Sequence, residues 1–244
     1  MKRNGGNGLK KLYDKDPVWF AVLWIILYVL GFGNADSLSE AIGIPKLLTV
    51  AVGLVLALIL WGFLRKNGLE AACGLCPFRG DYRHFLFFLP LVAISTVNFW
   101  FGTAVTAPPL EILLYILSMC LVGFLEEVIF RGLLFQAMRP GNVTAAIMVS
   151  SLTFGAGHIV NLLFGAPLTD TLLQLVYASA VGFCYTAVFF TGGSLLPCIL
   201  SHIAVNSTSV FAAEPTGGQM LLATVLQTVL GIGYGLWLLV RKPS

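Results

Sequence analysis

Charge is what this chain has least of. Asp, Glu, Lys and Arg together make up 10% of its 244 residues, against 58% apolar, whereas soluble domains run at about a quarter charged. A mean hydropathy of +0.91 agrees, and together these values exclude water as the main solvent. The net charge of +3 is too small and scattered to suggest nucleic-acid binding. No soluble domain, low-complexity tract or clear internal repeat appears, and the one substantial polar loop, residues 65–83, is too short to fold alone. Nothing reads as a cleavable signal peptide, because residues 18–33 follow a basic segment without a small-residue cleavage pattern, so the first span is expected to stay. Among known intramembrane protease signatures, H-E-x-x-H, G-x-S-G and paired intramembrane aspartates are all missing.

What the chain has instead is long apolar runs. They fall at about 18–34, 47–64, 84–101, 110–137, 143–164, 168–190, 194–211 and 220–240. Each approaches the ~20 residues that cross ~30 Å of hydrocarbon, and lipid forces such segments into helices because their backbone groups find no other partner. The expectation is an all-α, polytopic transmembrane helical bundle of about eight spans, multi-pass in the cytoplasmic (inner) membrane. Residues 1–16 form a basic cytoplasmic tail and 17–244 the membrane domain. Charge placement supports this count, since cytoplasmic loops collect Lys and Arg. With an even number of spans, Lys2, Arg3, Lys10, Lys11, Lys15, Arg65, Lys66, Arg79, Arg83, Arg139, Arg241 and Lys242 share one side. Only Lys46 falls opposite, among Asp36, Glu40, Glu111, Asp170 and Glu214. Both termini are therefore expected in the cytoplasm. The connection at Thr191, Gly192 and Gly193 rests on two glycines and the run lengths beside it.

Several apparent motifs read as packing. Cys120, Cys184 and Cys198 lie inside apolar runs, where a thiol behaves as a small hydrophobe. Cys73 and Cys76 form a C-x-x-C, but no second pair or nearby His completes a zinc site. Gly231 and Gly235 suit G-x-x-x-G helix contact better than nucleotide binding. The sequons at Asn142 and Asn206 fall on a cytoplasmic and an intramembrane position and are discounted.

The informative residues are ionisable groups inside apolar runs, where each charge costs on the order of 3 kcal/mol even on lenient insertion scales. Glu126 and Glu127 are consecutive and so point about 100° apart around a helix. Arg131 follows Glu127 by four residues, the spacing of an acid–base pair on one face, leaving Glu126 available for other work. Of the three histidines, His158 and His202 also lie within apolar runs, whereas His84 sits at a span boundary. Phe154 shares a helical face with His158, and Asn206 shares one with His202. Counted at 1.5 Å per residue from the cytoplasmic ends, Glu126 and His202 lie roughly 16 and 12 Å deep. His158 lies nearer ~22 Å and fits a common layer least well.

These groups suit hydrolysis. A carboxylate in low dielectric holds protons tightly, which suits a general base acting on water, and Glu126 is the choice for that role. His158 can share the water or pass a proton to the leaving amine. His202 and Asn206 can donate hydrogen bonds to the oxyanion of a tetrahedral intermediate, with Glu127 and Arg131 as a supporting pair that orients Glu126. The same His158, His202 and Glu126 can alternatively hold zinc with an open position for water, and the sequence leaves zinc and metal-free chemistry both open.

E-E-x-x-x-R at Glu126, Glu127 and Arg131, F-x-x-x-H at Phe154 and His158, and H-x-x-x-N at His202 and Asn206 together resemble the motifs of the CPBP family. That family groups type II CAAX prenyl endopeptidases with bacteriocin-processing and self-immunity (Abi) proteins. The resemblance covers about residues 110–211 and implies an intramembrane endopeptidase in which Glu126 activates water, His158 assists, and His202 with Asn206 binds the oxyanion. Members have been described both as metalloproteases and as metal-free, glutamate-dependent enzymes. The partners implied are membrane lipid and a peptide or lipid-modified protein substrate. The short chain and lean loops look bacterial, which favours a small membrane-associated peptide such as a bacteriocin or signalling precursor. Two other readings use the same residues: a non-catalytic immunity or scaffold protein, and a proton-coupled transporter. Against the transporter, no inverted repeat or matched pair of broken helices is visible.

Overall fold

The computed structural model describes residues 8–78 and 88–241. Lys2, Arg3, Arg79, Arg83, His84 and Lys242, used above for charge placement and for the span boundary, lie outside the described residues. The protein is an all-helical bundle with ten α-helices among the described residues: α1 (Gly8–Lys15), α2 (Pro17–Ala41), α3 (Leu47–Lys66), α4 (Leu89–Ser95), α5 (Pro109–Glu127), α6 (Gln136–Met138), α7 (Val143–Gly157), α8 (Leu168–Gly192), α9 (Leu196–Thr208) and α10 (Gly217–Val240). Between α5 and α6 the helix continues without a break as a π-helix over Val128–Phe135, giving one span from Pro109 to Met138.

Among the described residues, six helices are long and apolar enough to cross a membrane: Pro17–Ala41, Leu47–Lys66, Pro109–Met138, Val143–Phe164, Leu168–Gly192 and Gly217–Val240. The other two apolar runs behave differently. The run at 84–101 begins outside the described residues and continues as α4 and a 3-10 turn, Val97–Phe99. The run at 194–211 forms α9 and a 3-10 turn, Ser209–Phe211, an apolar helix shorter than a full span.

Helix ends follow local chemistry. Asp16 caps α2 by accepting from the Trp19 amide, with Pro17 at the first helical position. Asn142 caps α7 by accepting from Ala145, which is the use the structure makes of that apparent sequon. Thr216 and Gln219 form a reciprocal capping box at α10. Gly193, at φ 67°, ends α8 in the left-handed conformation that glycine tolerates, so the turn does fall at the expected glycines.

Packing sorts the two ends of the bundle. At one end the segment after α3 is bonded to the α8–α9 turn, through Leu195 N–H to the Gly74 carbonyl and Ser194 Oγ to the Cys76 carbonyl. Gln136 donates to the Ala72 carbonyl at the same end. At the other end Lys46 pairs with Asp36 at 2.6 Å and lies over the Tyr115 ring, while Tyr115 bonds Ser209. An isolated antiparallel bridge between Thr103 and Ala212 lies there too. The helices between are held by close backbone approach. An added Cβ at Gly231 would stand 2.7 Å from the Ala180 carbonyl and one at Gly235 would stand 2.6 Å from the Phe183 ring, so α10 rides directly on α8.

Candidate active site

The three motif segments meet because α5 and α9 run antiparallel in close contact. Gly123 makes this possible: a Cβ there would lie 2.7 Å from Ile203 Cγ1 and 3.1 Å from its backbone nitrogen. One turn further along, Glu127 Oε1 stands 2.9 Å from His202 Nδ1 and accepts from Arg131 Nη1 at 3.0 Å. The spacing of four residues therefore does form the expected pair, and both side chains are fully buried. What Glu127 orients besides Arg131 is His202; no bond from the pair to Glu126 is present among the described residues.

Glu126 points elsewhere, as neighbouring positions on a helix must. Its Oε1 accepts a 2.6 Å hydrogen bond from the buried Tyr28 hydroxyl of α2. Its Oε2 lies 3.5 Å from His202 Nε2 and takes no hydrogen bond from the described residues. His202 thus stands between two carboxylates, one ring nitrogen toward each. Tyr28 was missed in the sequence because an aromatic inside an apolar span reads as packing or as an interfacial anchor.

Phe154 is the hub of the aromatic surroundings. Its ring stands edge-on to His158 and to His202, each with centroids 5.7 Å away, and the Arg131 guanidinium lies 4.2 Å from its centroid. Stacking on Phe154 gives Arg131 an electrostatic partner beyond Glu127, since its Nε and Nη2 find no hydrogen-bond partner among the described residues. Gly182 of α8 makes room for this guanidinium, because a Cβ there would meet Nη2 at 2.8 Å. His158 sits at the junction where α7 tightens into a 3-10 helix, His158–Phe164. The π-helical stretch holding Arg131 directly follows the two glutamates, and such wide turns recur at functional sites.

One cavity of about 1330 Å³ is lined by Tyr28, Glu126, Phe154, His158, His202 and Asn206. The structure thus brings all four residues assigned to chemistry to one space, His158 included despite its deeper position along the chain. Glu127 and Arg131 lie behind that lining. Among the described residues no three His, Cys, Asp or Glu side chains are arranged to hold a metal ion. His202, a candidate zinc ligand, has both nitrogens turned to carboxylates. The arrangement of these side chains does not fit a metal centre. The C-x-x-C is likewise two free thiols, with Cys73 buried in the core and Cys76 bonded to the Gly193 carbonyl.

No curated protein and no solved structure matches the chain. Residues 108–208, which carry all three motifs, are similar to the family described as type II CAAX prenyl endopeptidase Rce1-like.

Proposed function

We propose that this protein is an intramembrane endopeptidase that hydrolyses a peptide bond of a membrane-associated peptide or lipid-modified protein. The observation that carries the reading is the pair of carboxylates on adjacent residues given opposite tasks. Glu127 is committed to Arg131 and His202, whereas Glu126, steadied by Tyr28, keeps one oxygen free of hydrogen bonds from the described residues at the cavity lining, 3.5 Å from His202 Nε2. A carboxylate with an uncommitted oxygen in a low-dielectric site is suited to take a proton from water.

Glu126 removes that proton as the water oxygen attacks the scissile carbonyl. The negative charge on the tetrahedral oxygen is met by His202 Nε2–H and the Asn206 amide, and the leaving amine receives the proton through Glu126 or His158. Glu127, paired with Arg131, also meets His202 Nδ1 at 2.9 Å and so fixes how the imidazole is turned.

Purified protein in detergent, given a hydrophobic or lipid-modified reporter peptide, tests the proposal. Glu126→Gln and His158→Ala are expected to abolish cleavage while the protein remains folded, a general base contributing about 10²–10⁴-fold. Undiminished cleavage by both variants would sink the reading. A chelator arm belongs in the same assay: loss of activity restored by zinc would assign His158 and His202 as ligands, and indifference favours the glutamate mechanism.

A further inference from the structure

The buried face of α10 includes Thr224, Gln227, Gly231, Gly235 and Leu238, and its character changes along the helix. In the second half, Gly231 and Gly235 bring the α10 backbone against α8. In the first half the helix lines the cavity that holds Glu126 and His202, through Met220, Ala223, Thr224 and Gln227. Those four positions are spaced i, i+3, i+4 and i+7, so a single helical face is turned to this space.

Two polar side chains on that face have nothing in the protein to bond. Thr224 is 4% exposed and Gln227 5%, and neither side chain makes a hydrogen bond among the described residues. Other polar groups of the same lining are committed: Gln174 accepts from Asn161 Nδ2 at 2.9 Å, and Asn98 donates to Thr208 Oγ1 at 2.9 Å. Burying an amide or a hydroxyl without a partner is costly, and an apolar side chain would fill either position more stably. A ligand that bonds both groups accounts for their presence.

A peptide backbone is the ligand whose chemistry fits. A chain must be extended where it is cut, and extension strips its N–H and C=O groups of their helical partners in surroundings that supply few others. The carboxamide of Gln227 carries a donor and an acceptor side by side, matching the C=O and N–H of an extended chain, and the Thr224 hydroxyl can act as either. We propose that Thr224 and Gln227 form a subsite that hydrogen-bonds the backbone of the extended substrate beside the scissile bond. The proposal rests on the protease reading for the nature of the ligand. It gives α10, which lies outside the segment 108–208, a share in substrate binding.

Binding of a fluorescent hydrophobic reporter peptide to the full chain in detergent, read by polarisation, tests the subsite. Gln227→Met and Thr224→Val nearly keep the side-chain volume and remove the hydrogen-bonding groups. Each is expected to weaken binding about 2- to 10-fold. Tm without peptide should stay level or rise, because no bond within the protein is lost. Thr228→Val is the control: its hydroxyl oxygen is also buried without a partner among the described residues, but Thr228 does not line the cavity, so binding should not change. Reporters in which an ester replaces one amide at a time locate the contact. One such replacement should weaken binding to the wild type and have a much smaller effect on Gln227→Met, which has already lost that partner. Equal binding by the wild type, Gln227→Met and Thr224→Val, no binding included, overturns the subsite. A lower Tm for both variants also overturns it, because the two groups would then have partners within the fold. Cleavage is scored separately: a wild type that binds with the expected dependence but never cuts defeats the protease reading and leaves the subsite standing, while cleavage with equal binding defeats the subsite alone.

Discussion

The Tyr28 hydroxyl donates a 2.6 Å hydrogen bond to Oε1 of Glu126 across 98 residues of chain. Tyr28 belongs to α2, outside the Rce1-like segment at 108–208. The bond therefore ties the first long helix to the residue assigned to water activation, and it determines which carboxylate oxygen remains uncommitted.

Tyr28→Phe removes that donor and leaves the ring in place. A hydrogen bond to a charged group contributes about 1.5–3 kcal/mol, so kcat for the reporter peptide is expected to fall roughly 10- to 100-fold. KM should change little, because Tyr28 positions Glu126 without needing to touch the peptide. An unchanged kcat would mean that Glu126 is oriented by other contacts.

Arg131 is held differently, inside the bundle with no exposure at all. Arg131→Met strands the Glu127 carboxylate, and breaking one side of a buried ion pair costs about 3–5 kcal/mol. Thermal unfolding in detergent should show a large loss for the single variant and partial recovery in Arg131→Met/Glu127→Gln, which removes both charges. Recovery stays partial because the stacking of Arg131 on Phe154 is lost as well. If the double variant proves no more stable than the single, pairing is not what holds Arg131 in place.

The unevenness of what could be read in advance has a physical cause. Glu126, Glu127, Arg131, His158, His202 and Asn206 were visible because lipid makes an ionisable or strongly polar group conspicuous wherever it occurs in an apolar run. The Glu127–Arg131 contact was visible because it is local and depends only on helical spacing. The contact between Glu127 and His202 was not, since it depends on how closely α5 and α9 approach, which Gly123 controls. Tyr28 gave no signal, because its ring suits a membrane helix whether or not its hydroxyl has a task. The π-helix after Glu127 has no signature in composition, and depth counted along the chain gave no sign that His158 lines one cavity with Glu126 and His202. Apolar length alone also failed to distinguish the long helices from 194–211, where α9 is short yet bears two of the site residues.

Two glycines beside His158 make opposite predictions. A Cβ at Gly155 would stand 2.0 Å from Ser179 Oγ and 2.9 Å from both the Leu175 carbonyl oxygen and the Ser179 nitrogen, whereas one at Gly157 would meet nothing within 4 Å. The hydroxyl can rotate away but the backbone atoms cannot, so Gly155→Ala must push α7 off α8. Overpacking of this kind costs about 1–3 kcal/mol, and it also moves His158, less than one turn further on. Gly155→Ala should therefore lose both thermal stability and activity, and Gly157→Ala neither. Equal behaviour of the two variants would show that the α7–α8 contact is not tight at this point.

Cys73 offers a test at alkaline pH, well away from the site. It follows α3 rather than lying in a spanning helix, and burial, with Glu70 nearby, pushes its thiol from 9.0 up to about 12. Below pH 9 the thiol is protonated whether the chain is folded or not, and its contribution to stability is constant. Between 9 and about 12 the unfolded chain gives up a proton that the folded protein keeps, so the folded state loses stability as pH rises. Tm measured across this window should fall more steeply for the wild type than for Cys73→Ala, whose loss of packing is independent of pH. Parallel slopes would mean that the thiol is far more accessible than its 2% exposure implies. The same protonation keeps Cys73 a poor nucleophile near neutrality, where the thiolate is the reactive form, so thiol reagents at pH 7.5 should spare it in the folded protein.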